Sequence, residues 1–279
     1  MSAVAQAAEF ADQFRDPVLA KGVSQVATAT VLAALVVGVS RLRGLDLERE
    51  LGVALTRGLV QIVAMGSIVG VLLTVDFVWS GAILLLMIGG ATWISKNRGE
   101  GLPGVVRVSF AAIAFGAGLV IVVMTIAGAI EPTVRNLVPV GSMIIANSMQ
   151  INSLALDRFR GELRSNRAEI EAGLALGAPP SAVIAEHVRT GVRASLIPIV
   201  DSLKSLGWVW IPGIMAGMIL SGENPIYAAL YQFVIMAMIF GAGGLTSVTS
   251  SLLIGTYVFT DAEQLKEIGD ATDDGASGA

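Results

Sequence analysis

The 279 residues are 54% hydrophobic and only 14% charged, with a single histidine and no cysteine, whereas an average soluble domain has about one charged residue in four. That balance excludes a water-soluble globule, a disulfide framework and a thiolate metal or redox centre. The formal net charge of −4 says little about partners, because the charges concentrate between long apolar stretches, and no nucleic acid is expected.

Residues 1–21 lack the basic start and compact apolar core of a cleavable signal, and Glu9, Asp12, Arg15 and Asp16 suggest an exposed, extracytoplasmic lead-in. Cutting at every Asp, Glu, Lys and Arg then leaves seven charge-free stretches of at least 18 residues, at 22–40, 58–75, 77–95, 108–130, 136–156, 205–222 and 224–260. A helix needs roughly 20 apolar residues to cross a bilayer. None of these stretches shows the two-residue alternation of a barrel strand. The expectation is an all-α, polytopic bundle of about seven transmembrane helices within a membrane domain at 22–260. Counting loops on that basis puts fourteen Lys and Arg on one side and three on the other, with Arg57 left inside the second stretch, which predicts the N-terminus outside and the C-terminus inside. The segment 261–279 turns acidic and is expected to be a flexible cytoplasmic tail.

The stretch 224–260 has 37 residues, about 55 Å as one helix against a hydrocarbon core of about 30 Å. It can be one pass or two. Gly241-Ala242-Gly243-Gly244 near its middle reads as a hairpin, a half-helix break or a close-packing surface of small residues; one long pass is the reading retained.

The long polar segment at 157–204, placed on the cytoplasmic side, has its own pattern. Leu163, Ile170 and Leu174 form an apolar stripe at offsets of seven and four, Gly177 is placed to end the helix, and Pro179-Pro180 prevents its continuation. A second stripe, Val183, Ile184, Val188, Val192 and Leu196, leads to Ile197-Pro198. The product is a helix–break–helix elbow.

Within the elbow, Glu171-Ala172-Gly173-Leu174-Ala175-Leu176-Gly177 resembles the Glu-Ala-Ala, three residues, Gly signature of permease subunits of ATP-binding-cassette transporters. Two departures are Gly173 in the third position and an Ile197-Pro198 that lies further downstream than the general Ile-x-Leu-Pro element. The runs 139–149, Asp157-Arg158, 196–207 and 211–222, with Pro225, Tyr231-Gln232 and, one turn apart, Arg57 and Gln61, carry a wider resemblance. Over roughly residues 25–260 the chain resembles the FetB-type iron-export permease family, whose plant relatives are linked to aluminium tolerance. Ala216 and Met218 stand where that family has Thr and Gln.

The resemblance implies a homodimerising permease subunit in the cell (inner or plasma) membrane, driven by a separate ATPase subunit and exporting iron or another metal ion. ATP and magnesium would sit on the ATPase, with no cofactor in this chain. The elbow would be the coupling helix: Gly177 supplies the turn, Ile170 and Leu174 the contact buried in a cleft of the ATPase, Glu171 a polar anchor, and Ala172 belongs to the same motif.

The residues' own chemistry fits a dependent subunit that is not itself an enzyme. None of the four lysines lies in a Gly-x-x-x-x-Gly-Lys-Ser/Thr loop. Asp76, Glu131, Asp201 and Glu223 lie at the ends of charge-free stretches and not inside them, unlike the buried acids of ion-driven carriers. An autonomous channel or secondary transporter is the rival, and it predicts flux through this chain alone. An intramembrane enzyme lacks paired carboxylates and a nucleophilic cysteine.

Several polar residues carry two readings. Asn147 and Gln150, one turn apart, either bond between helices or face a wet path, and Asn152 points to another face. Arg57, with Gln61 beyond it, either snorkels to the surface or lines a pathway. The methionines either pack the core or form a soft-metal ladder, and His187 lacks nearby ligands, so no metal site is assigned. Pro212-Gly213 and Gly217, in the sixth stretch, are hinge candidates or a plain kink.

Overall fold

The computed structural model describes residues 17–43, 48–72 and 77–268; most of the expected lead-in and residues 269–279 of the expected tail lie outside them. Nine helices follow in order among the described residues: α1 (Pro17–Leu42), α2 (Glu48–Leu72), α3 (Trp79–Arg98), α4 (Val105–Ile126), α5 (Val134–Ser165), α6 (Arg167–Ala175), α7 (Pro180–Ser205), α8 (Gly213–Leu220) and α9 (Pro225–Tyr257). They fall into two units, one ending at Thr74 and the other beginning at Val75.

The first unit holds α1 and α2. On α1, Val31, Leu32, Leu35 and Val36 are each more than 60% exposed, an apolar surface suited to lipid. The Thr28 and Thr30 hydroxyls donate to the Ser24 and Val26 carbonyls one turn back at 2.9 and 2.8 Å. These two hydroxyls are thereby satisfied without water, whereas the Ser40 hydroxyl near the end of the helix is buried without a partner.

The second unit is built around α5 and α9. At 33 residues, α9 is about 50 Å long. It begins where Asn224 accepts from the Ile226 and Tyr227 amides and Pro225 takes the first helical position. It then runs unbroken through 241–244. The small residues there let neighbours approach: a side chain at Gly243 would collide with Ile151 of α5, and a Cβ at Gly116 of α4 would lie 2.7 Å from the Ala242 carbonyl oxygen. Ile113, Ala117, Ile144, Ile235 and Ala242 fill the core at these crossings.

The count of seven spans is corrected. Three helices among the described residues are long and apolar enough to cross a membrane, Lys21–Leu42, Val105–Ile126 and Pro225–Tyr257, with Leu51–Gly66 a shorter apolar segment. Freedom from charge does not make a stretch a continuous apolar helix. The stretch 205–222 breaks at Gly207, at φ +75°, and contains only the eight-residue α8, about 12 Å long. The stretch 136–156 is part of a helix that continues into Asp157, Arg158, Arg160, Glu162 and Arg164, and α3 carries Ser, Gly and terminal Lys96 and Arg98. The N-outside, C-inside orientation, which depends on seven alternating loops, falls with that count.

Past α9 the chain does not leave at once. The Thr260 amide donates to the Gln264 carbonyl and the Lys266 amide to the Val258 carbonyl, both at 2.8 Å. Lys266 Nζ reaches the Tyr257 carbonyl at 2.8 Å, a favourable cation at a helix C-terminus. Phe259 and Leu265 are buried in this hairpin. The boundary expected at 260 misses it because two apolar side chains are diluted among acids.

Gly116→Ala is expected to lower the thermal stability of the detergent-solubilised chain by about 1 to 3 kcal/mol, the usual cost of overpacking. Gly118→Ala, two residues away with nothing within 4 Å of its Cβ position, should leave it unchanged. Melting both variants by circular dichroism checks the pair.

Candidate functional site

The elbow is shaped by one break and one cap. α5 ends at Ser165, where the Asn166 side chain folds back on Glu162, donating to its carbonyl at 3.0 Å and to its carboxylate at 3.2 Å. α6 then runs for nine residues. At its end the Gly177 amide donates to the Leu174 carbonyl at 2.9 Å and the Ala178 amide to the Gly173 carbonyl at 3.1 Å. This pair of bonds is a Schellman cap, which needs a left-handed residue at the position Gly177 occupies, φ +84°. Pro179, extended at ψ 143°, precedes Pro180, which opens α7.

Gly173, the departure from the permease signature, has a local cause. A Cβ there would come to 3.3 Å from Val183, so glycine lets α6 lie close against α7.

Ile170 has no exposed surface and lies in a core with Phe159, Leu163, Ile184, Ile254, Val258 and Leu265. It is therefore consumed within this chain and has no surface to offer a partner; Leu174 is half-buried against the same core. The face left open carries Glu171, Ala172, Ala175 and Leu176, the last 89% exposed. Sequence reasoning missed Leu176. Its signal was its register: two residues past Leu174 is about 200° around the helix, opposite the apolar stripe. Glu171 pairs with Arg167 at 2.8 Å on the exposed surface. Glu171, Leu174 and Gly177 also line a 550 Å³ pocket together with Glu263, Gln264 and Leu265 of the C-terminal hairpin.

The single histidine serves the elbow. His187 Nδ1 lies 3.2 Å from the Glu162 carboxylate, a contact that ties α7 to α5. Among the described residues no group of three or more His, Cys, Asp or Glu could hold a metal ion. Met236 and Met238 are buried in the core and Met87, Met124, Met143 and Met149 pack against it.

Asn147, Gln150 and Asn152 of α5 divide by role. Asn152 is fully buried, and its Nδ2 donates to Ser95 Oγ of α3 at 2.6 Å and Ser109 Oγ of α4 at 2.9 Å. It joins three helices. Asn147 donates to the Met143 carbonyl of its own helix at 2.8 Å, and with Gln150 it lines a 310 Å³ cavity opposite Ser195, Pro198 and Ser202 of α7. Those two serines, seven residues apart around a proline, were the missed signal. Arg57 and Gln61 are exposed and line a 640 Å³ groove along α2 in the first unit.

The hinge candidates sit elsewhere than expected. Pro212 precedes α8 and Gly213 is that helix's first residue, so neither kinks a span, and Gly217 is exposed within it. The prolines inside helices are Pro139 and Pro198.

Long apolar helices joined to a polar elbow define a multi-pass membrane protein. The chain belongs to the family described as uncharacterised protein family UPF0014, which matches residues 23–259. It is 29% identical over 241 residues to the probable iron export permease protein FetB of Escherichia coli K12, covering 86% of this chain and 93% of that one. Identity is 28% over 250 residues to the protein ALUMINUM SENSITIVE 3 of Arabidopsis thaliana, covering 89% and 92%. It is 32% over 221 residues to the UPF0014 membrane protein YjkA of Bacillus subtilis 168, covering 79% and 88%. No solved structure matches the chain.

Ile170→Ala is expected to destabilise the chain by about 2 to 5 kcal/mol through the cavity it leaves, and Leu176→Ala to leave stability unchanged. Thermal melts of the purified variants in detergent check both.

Proposed function

We propose that this chain is the membrane permease subunit of an ATP-driven transporter, that it works as a homodimer with a separate ATP-binding-cassette subunit, and that its cargo is iron or another metal ion, moved outward. The observation that carries the proposal is the elbow. A nine-residue helix with an exposed apolar tip is held at its back by Ile170 and at its end by the Gly177 cap. Such an element can take a push on Leu176, Ala172 and Glu171 and pass it through the Ile170 core to α5, α7 and α9 without bending. The relative named as an iron export permease, matched over 93% of its length, supports the cargo and the direction. Nucleotide would be held by the partner, since no lysine of this chain lies in a phosphate-binding loop.

The ATPase contact is expected to centre on Leu176, whose burial in a cleft would contribute about 1.5 to 3 kcal/mol. Leu176→Asp should therefore reduce recovery of a P-loop ATPase by about tenfold or more when the tagged chain is purified from its native membrane in mild detergent. Undiminished recovery by that variant would move the contact off the elbow. Absence of any ATPase from the unmodified sample would overturn the proposal.

A further inference from the structure

The loop between α7 and α8 joins an apolar surface to an open backbone. Trp208, Val209, Trp210 and Ile211 are all exposed, Trp208 at 92% and Val209 at 79%, and α8 follows with no buried residue. The loop is nonetheless fixed in place. Pro212 is buried, and Leu206 and Ile214 pack against the main core on either side of the turn. The Ser205 carbonyl accepts from the Trp208, Val209 and Trp210 amides at 3.2, 2.9 and 3.2 Å. The Ile211 amide, the carbonyls of Gly207, Trp208 and Val209, and both indole N–H groups have no hydrogen-bond partner among the described residues. No side chain caps the first amides of α8.

Water suits the backbone of this turn but not four neighbouring large apolar side chains. Hydrocarbon suits the side chains, yet each unpaired peptide group there costs several kcal/mol, roughly 2 to 7. A second copy of the chain would have to meet every open donor and acceptor with one of its own. The boundary between acyl chains and headgroups meets both needs at once, since a tryptophan ring lies among acyl carbons there while its N–H reaches headgroups and their water.

The turn also lies where a membrane boundary should fall. α7 starts in the elbow at Pro180 and ends at Ser205, and α9 starts at Pro225 and ends at Tyr257, next to Val258 of the Ile170 core. The turn and α8 are therefore at the end of the second unit opposite the elbow. Tyr227, exposed on the first turn of α9, adds a third aromatic at that end. From Tyr227, about 20 residues of helix cross the hydrocarbon and reach Ser247; the rest of α9, Val248 to Tyr257, adds about 15 Å beyond it. On α5, Asp157, Arg158 and Arg160 alternate with Leu156 and Phe159, which share a core with Ile254 of that outer part of α9. Charges thus begin where the hydrocarbon ends, and the elbow stands clear of the bilayer.

We propose that the 206–212 turn and α8 bind the lipid headgroup–acyl boundary at the end of the bundle opposite the elbow, with Trp208 and Trp210 as the anchors. This placement does not depend on the transporter proposal.

The test uses tryptophan fluorescence of the full chain in phosphatidylcholine vesicles. The chain has four tryptophans, so Trp79→Phe with Trp93→Phe leaves only the two of the turn. Lipids brominated close to the headgroup should quench them about twofold or more better than lipids brominated close to the terminal methyl, as expected of side chains in the interface. If that double variant melts early, the unmodified chain is compared with Trp208→Phe plus Trp210→Phe, and the difference isolates the same two rings. Stronger quenching by the deep bromines would place the turn in hydrocarbon and overturn the proposal. So would quenching by aqueous acrylamide with none from either lipid, which would place it in water. Rings that neither lipid nor acrylamide reaches would be covered by protein, a second copy being the occupant, and the proposal would fail on that outcome too.

Discussion

Ile170 sits on a helix of nine residues that could not persist alone, since isolated helices this short are unstable in water. Its complete burial against Phe159, Leu163, Ile184, Ile254 and Val258 supplies the tertiary packing that α6 requires. The same contact joins the end of α5, the start of α7 and the end of α9 into one cluster. Everything proposed for the elbow depends on it. A mobile loop carrying the same motif could bind a partner but could not move helices.

Asn152 is paired across helices with Ser95 and Ser109 through its Nδ2, which offsets part of the cost of an amide in an apolar interior, roughly 2 to 7 kcal/mol when unpaired. Its Oδ1, like Gln232 Oε1 and the hydroxyls of Ser148, Thr246 and Ser250, is buried without a hydrogen-bond partner. Asn147 and Ser202 instead donate within their own helices, beside the α5–α7 cavity. The Asn152 pairing fixes helix positions. The small residues of α4 and α9 complete the frame, since the Gly116 and Gly243 crossings bring these helices together without hydrophobic contrast to lipid.

The elbow was the most legible part of the sequence. Its stripe, its glycine stop and its double proline are local signals, and each has a local counterpart in the Schellman cap at Gly177 and the α7 start at Pro180. The assignment of Ile170 to a partner was wrong for a physical reason: a stripe shows that a face is buried, and nothing in one sequence says against what. The helix count failed similarly. Absence of charge marks where lipid is tolerable, yet Gly207 and Gly222, both at positive φ, break one such stretch into a short helix between turns. Asn147, Gln150 and Asn152 were identifiable as costly residues, but their division between pairing and cavity depends on which neighbours α3, α4 and α7 present, and that is a tertiary matter.

The central claim is that this chain moves its cargo only when an ATPase pushes on the elbow. The most direct measurement is ferrous-ion flux in sealed liposomes containing an internal or external metal-sensitive dye, with the chain alone, with the chain and its co-purified ATPase, and with ATP added to the latter. Flux confined to the last condition is the result predicted. Equal flux through the chain alone would contradict the account and make the protein an autonomous channel or carrier.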